Sequence, residues 1–179
     1  MIIQKVGIIG AGTMGNGIAQ ACAVSGIPVV MVDISEAAVA KGIATVSGSL
    51  DRLVKKEKIT DADKAAALAK IQGSTQYDDL KSADLVIEAA TENQDLKVKI
   101  LKQLDGLLAP DVIIASNTSS ISITQLAAAT TRADRFIGMH FFNPVPMMAL
   151  VEIIRGLQTS DQTHDAVHAL ATALGKDRK

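Results

Sequence analysis

Lys5-Val6-Gly7-Ile8-Ile9-Gly10-Ala11-Gly12-Thr13-Met14-Gly15 is the stretch on which the reading of this chain turns. Lys5 to Ile9 reads as a short buried strand, and glycines at 10, 12 and 15 follow without a spacer. That is the spacing of a dinucleotide-binding turn. Gly10 permits the tight turn, Gly12 has no side chain to obstruct a pyrophosphate, and Gly15 lets the next helix pack close to the sheet. That helix offers free N–H groups and the positive end of its dipole, the natural seat of an anion. Pro28-Val29-Val30-Met31-Val32-Asp33 then reads as turn, second strand and acidic end, with Asp33 eighteen residues past Gly15 and twenty-three past Gly10. A carboxylate there accepts both ribose hydroxyls of NAD and repels a 2′-phosphate, and no Arg stands near it in sequence. Glycines alone recur by chance. The ordered series of strand, glycines, apolar helix, strand and acid is what points to an NAD site.

Composition narrows the field further. With 179 residues, 48% of them apolar, the chain has material for one domain with a sizeable core and is not disordered. A net charge of −1 and a single Tyr, no Trp and three Phe argue against a nucleic-acid surface, which needs a basic face and stacking aromatics. The lone Cys22 falls in an apolar helical pattern and reads as core. One cysteine makes no internal disulfide, in keeping with a reducing compartment. Met1-Ile2-Ile3 runs straight into the first strand, leaving no room for a signal peptide, and no apolar run reaches membrane length. The expectation is a cytoplasmic protein with no membrane and no nucleic-acid partner.

Taken in order, Gly15 to Ser25 reads as the first helix, closed by Gly26. Ser35 caps a second helix whose apolar stripe is Val39, Ile43, Val46, Leu50, Leu53 and Val54, weakened by Gly42 and Gly48. Its basic tail is Lys55-Lys56-Glu57-Lys58, and Thr60 with Asp63 forms a capping box for a third helix. This helical pair, about 35–70, is an insertion between strands two and three that a minimal dinucleotide unit does not need. Ile71 to Thr75 reads as a short third strand and the Ala83–Ala90 stretch as a fourth. Thr91 and Gln94 are expected to box the next helix, which ends before Pro110. Val112–Ala115 is a fifth strand, apolar throughout as a parallel strand covered on both faces should be. Ser122 caps a short helix, and Arg135–His140 and Ala149–Ile154 read as strands six and seven. The link between those two is too short for a crossover helix, so they should run antiparallel. Thr159 and Gln162 are expected to box the last helix, which ends before Gly175 and leaves Lys176–Lys179 as a polar stub. The fold expected is α/β: a Rossmann-like, doubly wound, mostly parallel sheet with a helical-pair insertion and an antiparallel strand pair near the C-terminus.

Ligands in such sheets bind beyond the carboxyl ends of the parallel strands. Glu88–Asn93, Ser116–Ser120 and His140–Asn143 are the polar clusters that fall there. His140 ends an apolar strand beside Phe141-Phe142, and an imidazole that titrates near neutral pH suits a general base taking a hydroxyl proton while hydride leaves the same carbon. Glu152, an acid inside an otherwise apolar strand, is its candidate partner. Ser119 and Asn143 can donate hydrogen bonds to a substrate oxygen. His164 and His168, spaced i,i+4, come with no Cys or acid at a ligand spacing and read as surface or packing residues.

Asn117-Thr118-Ser119-Ser120, His140-Phe141-Phe142-Asn143-Pro144 and Leu150-Val151-Glu152 strongly resemble the 3-hydroxyacyl-CoA dehydrogenases, and most nearly the short bacterial 3-hydroxybutyryl-CoA dehydrogenases. The likeness covers Gly10 to Gly175. It implies that His140 is the catalytic base, Glu152 its partner, and Ser119 and Asn143 the contacts to the substrate carbonyl or hydroxyl. It adds Glu92, Lys97 and Asn117 to Gly10, Gly12, Thr13, Met14, Gly15 and Asp33 around NAD. It assigns Ser49 and Lys56 to coenzyme A, which gives the helical insertion a task as a basic arm over a polyphosphate, with Lys55 and Lys58 strengthening its field. Family members continue into a helical domain that completes the acyl pocket and forms most of a homodimer contact. The given residues resemble the NAD-binding domain alone, expected to bind NAD and turn over poorly. Two other classes stay open: an NAD-binding module without chemistry, and a dehydrogenase for a small hydroxy acid or sugar.

Overall fold

A computed structural model of the chain describes residues 1–178. Its strands are β1 (Val6–Ile9), β2 (Val29–Val32), β3 (Ile71–Ser74), β4 (Leu85–Glu88), β5 (Ile113–Ser116), β6 (Phe136–Phe141), β7 (Leu150–Arg155) and β8 (Asp177–Arg178). Its helices are α1 (Thr13–Val24), α2 (Glu36–Lys55), α3 (Asp61–Ala69), α4 (Gln94–Leu107), α5 (Ile123–Ala127) and α6 (Asp161–Ala173). One sheet holds all eight strands in the order β3-β2-β1-β4-β5-β6-β7-β8. Every pairing is parallel except β6 with β7. The order reverses between β1 and β4, the switch point at which a dinucleotide crosses such a sheet.

Strand alternation explains why helices cover both faces. Ile8, Met31, Ile87, Ala115 and Ile137 point into one core with Ile18, Cys22, Val46, Leu50, Val167 and Leu170 of α1, α2 and α6. Their neighbours Ile9, Val30, Val32, Val86 and Ile114 point into the other, with Leu101 and Leu104 of α4 and Leu126 of α5. A strand with both faces covered is apolar along most of its length, and β1, β2, β4 and β5 are buried throughout, with polar Glu88 and Ser116 only at the ends of β4 and β5. Burial of Cys22 in the first core pushes its thiol up to about 12, which removes it from redox chemistry near neutral pH.

The caps at Ser35, Thr60–Asp63 and Ser122 form where the residue pattern places them. Gly26, at φ +81, closes α1 with Ile27 N–H donating to Cys22 O. Several expectations are corrected. Helix α1 begins at Thr13, so Gly15 lies inside its first turn. Asn93, not Thr91, caps α4, because the Thr91 hydroxyl is taken locally by the Asn93 N–H and Asn is the better cap. Ser160 caps α6 in place of Thr159, whose hydroxyl donates to Phe136 O at 2.7 Å and so ties the chain to β6. Gly42 does more than weaken α2: a Cβ there would lie 2.7 Å from Ala11 O, so it is where the helix touches the glycine turn. Asp177–Arg178 of the expected stub adds a short strand to β7; Lys179 lies outside the described residues.

Candidate active site

The glycine turn is built by exclusion of side chains. Gly10 has φ +109, and a Cβ there would lie 2.8 Å from Ala89 O, just past β4. At Gly15 a Cβ would overlap Gly10 O at 1.7 Å. At Gly12 it would meet nothing within 4 Å. The turn is therefore packed beneath and open above, and no side chain caps the start of α1 at Gly12. The first N–H groups of Thr13, Met14 and Gly15 precede the intrahelical ladder, so the cradle fits a pyrophosphate. Asp33 stands beside it: one carboxylate oxygen accepts from Ala11 N at 2.8 Å and the other from Ile34 N at 2.6 Å. Asp33 also opens a recess of about 700 Å³ with Thr75, Tyr77 and Asp78 on its wall. No residue lining that recess is cationic, so a 2′-phosphate would find two carboxylates and no counter-charge.

Below the turn lies a wholly buried ion pair. Glu88, at the end of β4, and Lys97, in the first turn of α4, are both fully excluded from solvent with Nζ and Oε1 2.5 Å apart. Ser116 Oγ donates to the same Glu88 oxygen at 2.9 Å and Ala90 N to the other at 2.9 Å. Glu92 lies elsewhere. It is exposed, and its Oε2 accepts from Thr118 Oγ1 at 3.0 Å and Ser120 Oγ at 3.4 Å, the two residues flanking Ser119. Asn117 is buried, with Oδ1 accepting from Phe141 N at 2.8 Å, which joins the turn after β5 to the end of β6.

His140 and Glu152 meet by register. Strand β6 runs one residue beyond the expected end, so His140 sits inside the antiparallel ladder directly opposite Glu152. Directly opposed residues share a face, and Nδ1 lies 3.2 Å from Glu152 Oε1. A carboxylate only accepts, so in the neutral form of the imidazole Nδ1 carries the hydrogen and Nε2 is the acceptor. Phe142 packs edge-on against the imidazole, with ring centroids 4.5 Å apart. The side chains are 18% and 43% exposed, so the pair is ordered yet reachable.

A cleft of about 580 Å³ opens between α1, α2 and the turn after β6. Asn143, Ser49, Arg52, Lys56 and Lys58 are on its wall. Lys55 is not. Ser49 Oγ accepts from Gln20 Nε2 at 3.0 Å. Sequence reasoning missed Arg52, although it lies three residues from Ser49 and four from Lys56 on one helical face, a signal that was legible. It also missed Gln20, Glu88 as a buried anchor, and Lys176. The first and last had no signal, because their partners are distant in sequence. His164 and His168 stay at the surface, bonded to Asp165 and Arg178, and no group of His, Cys, Asp and Glu able to hold a metal occurs among the described residues.

The model of the 3-hydroxyacyl-CoA dehydrogenase, NAD binding domain, matches residues 5–178. A 3-hydroxybutyryl-CoA dehydrogenase of Bradyrhizobium diazoefficiens is 51% identical over 175 residues, 98% of this chain and 60% of that protein. The fatty acid oxidation complex subunit alpha of Acinetobacter baylyi is 44% identical over 97% of this chain and 24% of its own length. The crystal structure of (S)-3-hydroxybutyryl-CoA dehydrogenase from Ralstonia eutropha superposes with a TM-score of 0.97 at 77% identity, over 98% of this chain and 62% of that one. The chain thus spans about 60% of the length of these two 3-hydroxybutyryl-CoA dehydrogenases. With a glycine cradle at the switch point, an acid at the end of β2 and a match over residues 5–178, the chain belongs to the 3-hydroxyacyl-CoA dehydrogenase family, as its NAD-binding domain.

Proposed function

We propose that this chain supplies the NAD site and the general base of an oxidoreductase that moves hydride between NAD and a 3-hydroxyacyl-CoA, the pair being 3-hydroxybutyryl-CoA and acetoacetyl-CoA. The observation that carries this reading is the register that sets His140 opposite Glu152, three residues before Asn143, which enters the wall of a cleft shared with Lys56; His140, Glu152 and Ser119 are not themselves on that wall. Bound NAD supplies the hydride acceptor. His140 Nε2 takes the proton of the substrate hydroxyl as the C–H bond is lost, and Glu152 steadies the imidazolium through Nδ1. Asn143 and Ser119, both exposed, donate to the substrate oxygen; in the reverse direction they stabilise the charge that develops there before His140 returns the proton. Glu92 braces Ser119 by holding Thr118 and Ser120. Asn117 completes the cofactor side; Lys97, closed off against Glu88, has no exposed atom with which to touch NAD and serves it only by anchoring the strand end beneath the glycine turn. Ser49, Lys56 and the additional cations Arg52 and Lys58 face the phosphates of coenzyme A.

Under this reading the working form is a cytoplasmic homodimer, as its likeness to the family implies. No helix among the described residues is long and apolar enough to cross a membrane. The test is NADH binding by calorimetry, with NADH oxidation by acetoacetyl-CoA measured for this chain and for a version extended over the full length of its relatives. NADH binding by both, with turnover in the extended form and little in the short one, is the expected result. NADH binding with no thioester reduction in either form would leave a bare binding module. Reduction of a small keto acid in preference to the thioester would point to the other class.

A further inference from the structure

Lys176 is a buried cation that the chemistry above does not use. Gly175, at φ +72, closes α6: its N–H donates to Thr172 O and the Lys176 N–H to Ala171 O. That closure turns the chain back against the segment between β6 and β7. Lys176 is 8% exposed, and Nζ donates to Val145 O at 2.8 Å and to Met148 O at 2.6 Å. One residue on, Asp177 N donates to Ala149 O at 2.6 Å, and Asp177 and Arg178 pair with Leu150 and Val151. The turn from 145 to 149 is thus pinned at three carbonyls by two successive residues.

The turn needs such a donor. Pro144 and Pro146 have no N–H, so this segment cannot build a ladder of its own. Its internal bonds are Met147 N and Met148 N to Pro144 O. Val145 is driven against α1, where a Cβ on Gly17 would lie 2.8 Å from it. Asn143, Pro144, Pro146 and Met147 form the near wall of the cleft, and Lys176 lines it too. Burial pushes the Lys176 ammonium below the usual lysine range, so the contact is made against an adverse desolvation.

We infer that Lys176 is a positioning residue for the substrate cleft: by holding the carbonyls of Val145 and Met148 it fixes the turn that carries Asn143 and the Pro146–Met147 wall. The proposal rests on the reading of the cleft as the acyl-CoA site. Its test compares the native chain with Lys176→Met and Lys176→Arg by amide hydrogen exchange and by calorimetry with NADH and acetoacetyl-CoA. Loss of two charge-assisted bonds should speed exchange over 145–149 on the order of 10-fold or more and weaken acetoacetyl-CoA by about 10-fold in Lys176→Met. Exchange in α1 and affinity for NADH should not move, which separates positioning from general loosening. Lys176→Arg, which keeps the donors, should restore most of both. Unchanged exchange over 145–149, or an equal loss of NADH affinity, overturns the proposal. A native chain that binds no acetoacetyl-CoA overturns the reading of the cleft and the ligand half of this inference. The exchange measurement, which needs no ligand, tells that failure from failure of the strap.

Discussion

Glu88–Lys97 and His140–Glu152 both join an acid to a base near the carboxyl ends of central strands, but they are built to opposite specifications. Glu88 and Lys97 are closed off from solvent, and both Glu88 oxygens are occupied by Lys97, Ser116 and Ala90. His140 and Glu152 share one contact and keep 18% and 43% of their side-chain surface open. A pair closed off from solvent, with both carboxylate oxygens bonded, presents no face to a ligand, and it fixes backbone instead. Glu88 does this at the switch point, joining β4 to α4 and β5 beneath the turn where Ala89 meets Gly10. A half-open pair has a second imidazole nitrogen free to work. Burial therefore separates an anchor from a proton carrier in two constellations that look alike in sequence.

The strongest way to break this comparison is to remove the base. In a form that turns over acetoacetyl-CoA, His140→Gln should cut turnover by about 10²–10⁴-fold and leave NADH affinity unchanged. Retained turnover would make the open pair another anchor.

Next is the buried pair. Lys97→Met leaves the enclosed Glu88 without its counter-charge, and should lower unfolding stability by about 3–5 kcal/mol in urea titration. Lys97→Met with Glu88→Leu should recover much of that, since two apolar side chains replace two buried charges. A loss under about 1 kcal/mol for the single change would place the pair among surface ion pairs.

Asp105–Arg132 sharpens the contrast, because it is buried but not sealed. Their side chains are 10% and 6% exposed, and Arg132 also donates to the carbonyls of Asp105, Leu108, Ala109 and Val112 behind α4. Burial acts to raise the Asp105 carboxyl, but hydrogen bonds from Arg132 and Thr131 outweigh it and hold it below the usual carboxylate range. The unfolded chain then binds the proton more readily. Stability from Asp105 is fully present above the ordinary carboxylate pKa and is lost as pH falls through the folded value. Asp105→Asn should cost about 2–3 kcal/mol at neutral pH and flatten the acid limb of the stability profile. An unchanged acid limb would show that these hydrogen bonds contribute nothing.

The smallest effect belongs to Glu152. With 43% of its side chain exposed, Glu152→Gln should change unfolding stability by less than about 1 kcal/mol while still lowering turnover. A loss as large as that of Lys97→Met would erase the distinction between the pairs.

Much of this molecule is legible without coordinates. The glycine spacing, the apolar second strand and Asp33 determine the cofactor half, because each requirement is local: a turn, an open N-terminus, an acid at a strand end. The apolar period of residues 39–54 and the Thr60–Asp63 box likewise determine the helical insertion. The continuous apolar runs determine a sheet covered on both faces. Residue type alone misplaces two caps. Thr91 and Thr159 carry the right residues for a box, yet their hydroxyls are used elsewhere, one by a neighbour and one by a strand far away in sequence.

What the tertiary structure alone decided are matters of register and distance along the chain. An acid in an apolar strand suggests a partner, but a one-residue slip would turn Glu152 to the opposite face from His140. Strand β6 extends to Phe141 and the ladder aligns 140 with 152. Glu88 and Lys97 read as separate polar residues until α4 packs one over the other. Lys176 reads as part of a charged tail until the closure at Gly175 carries it into the turn after β6. Local rules act within one or two turns of chain and are written in neighbouring residues. A bond across 28 or 31 residues is not, because folding alone brings its ends together.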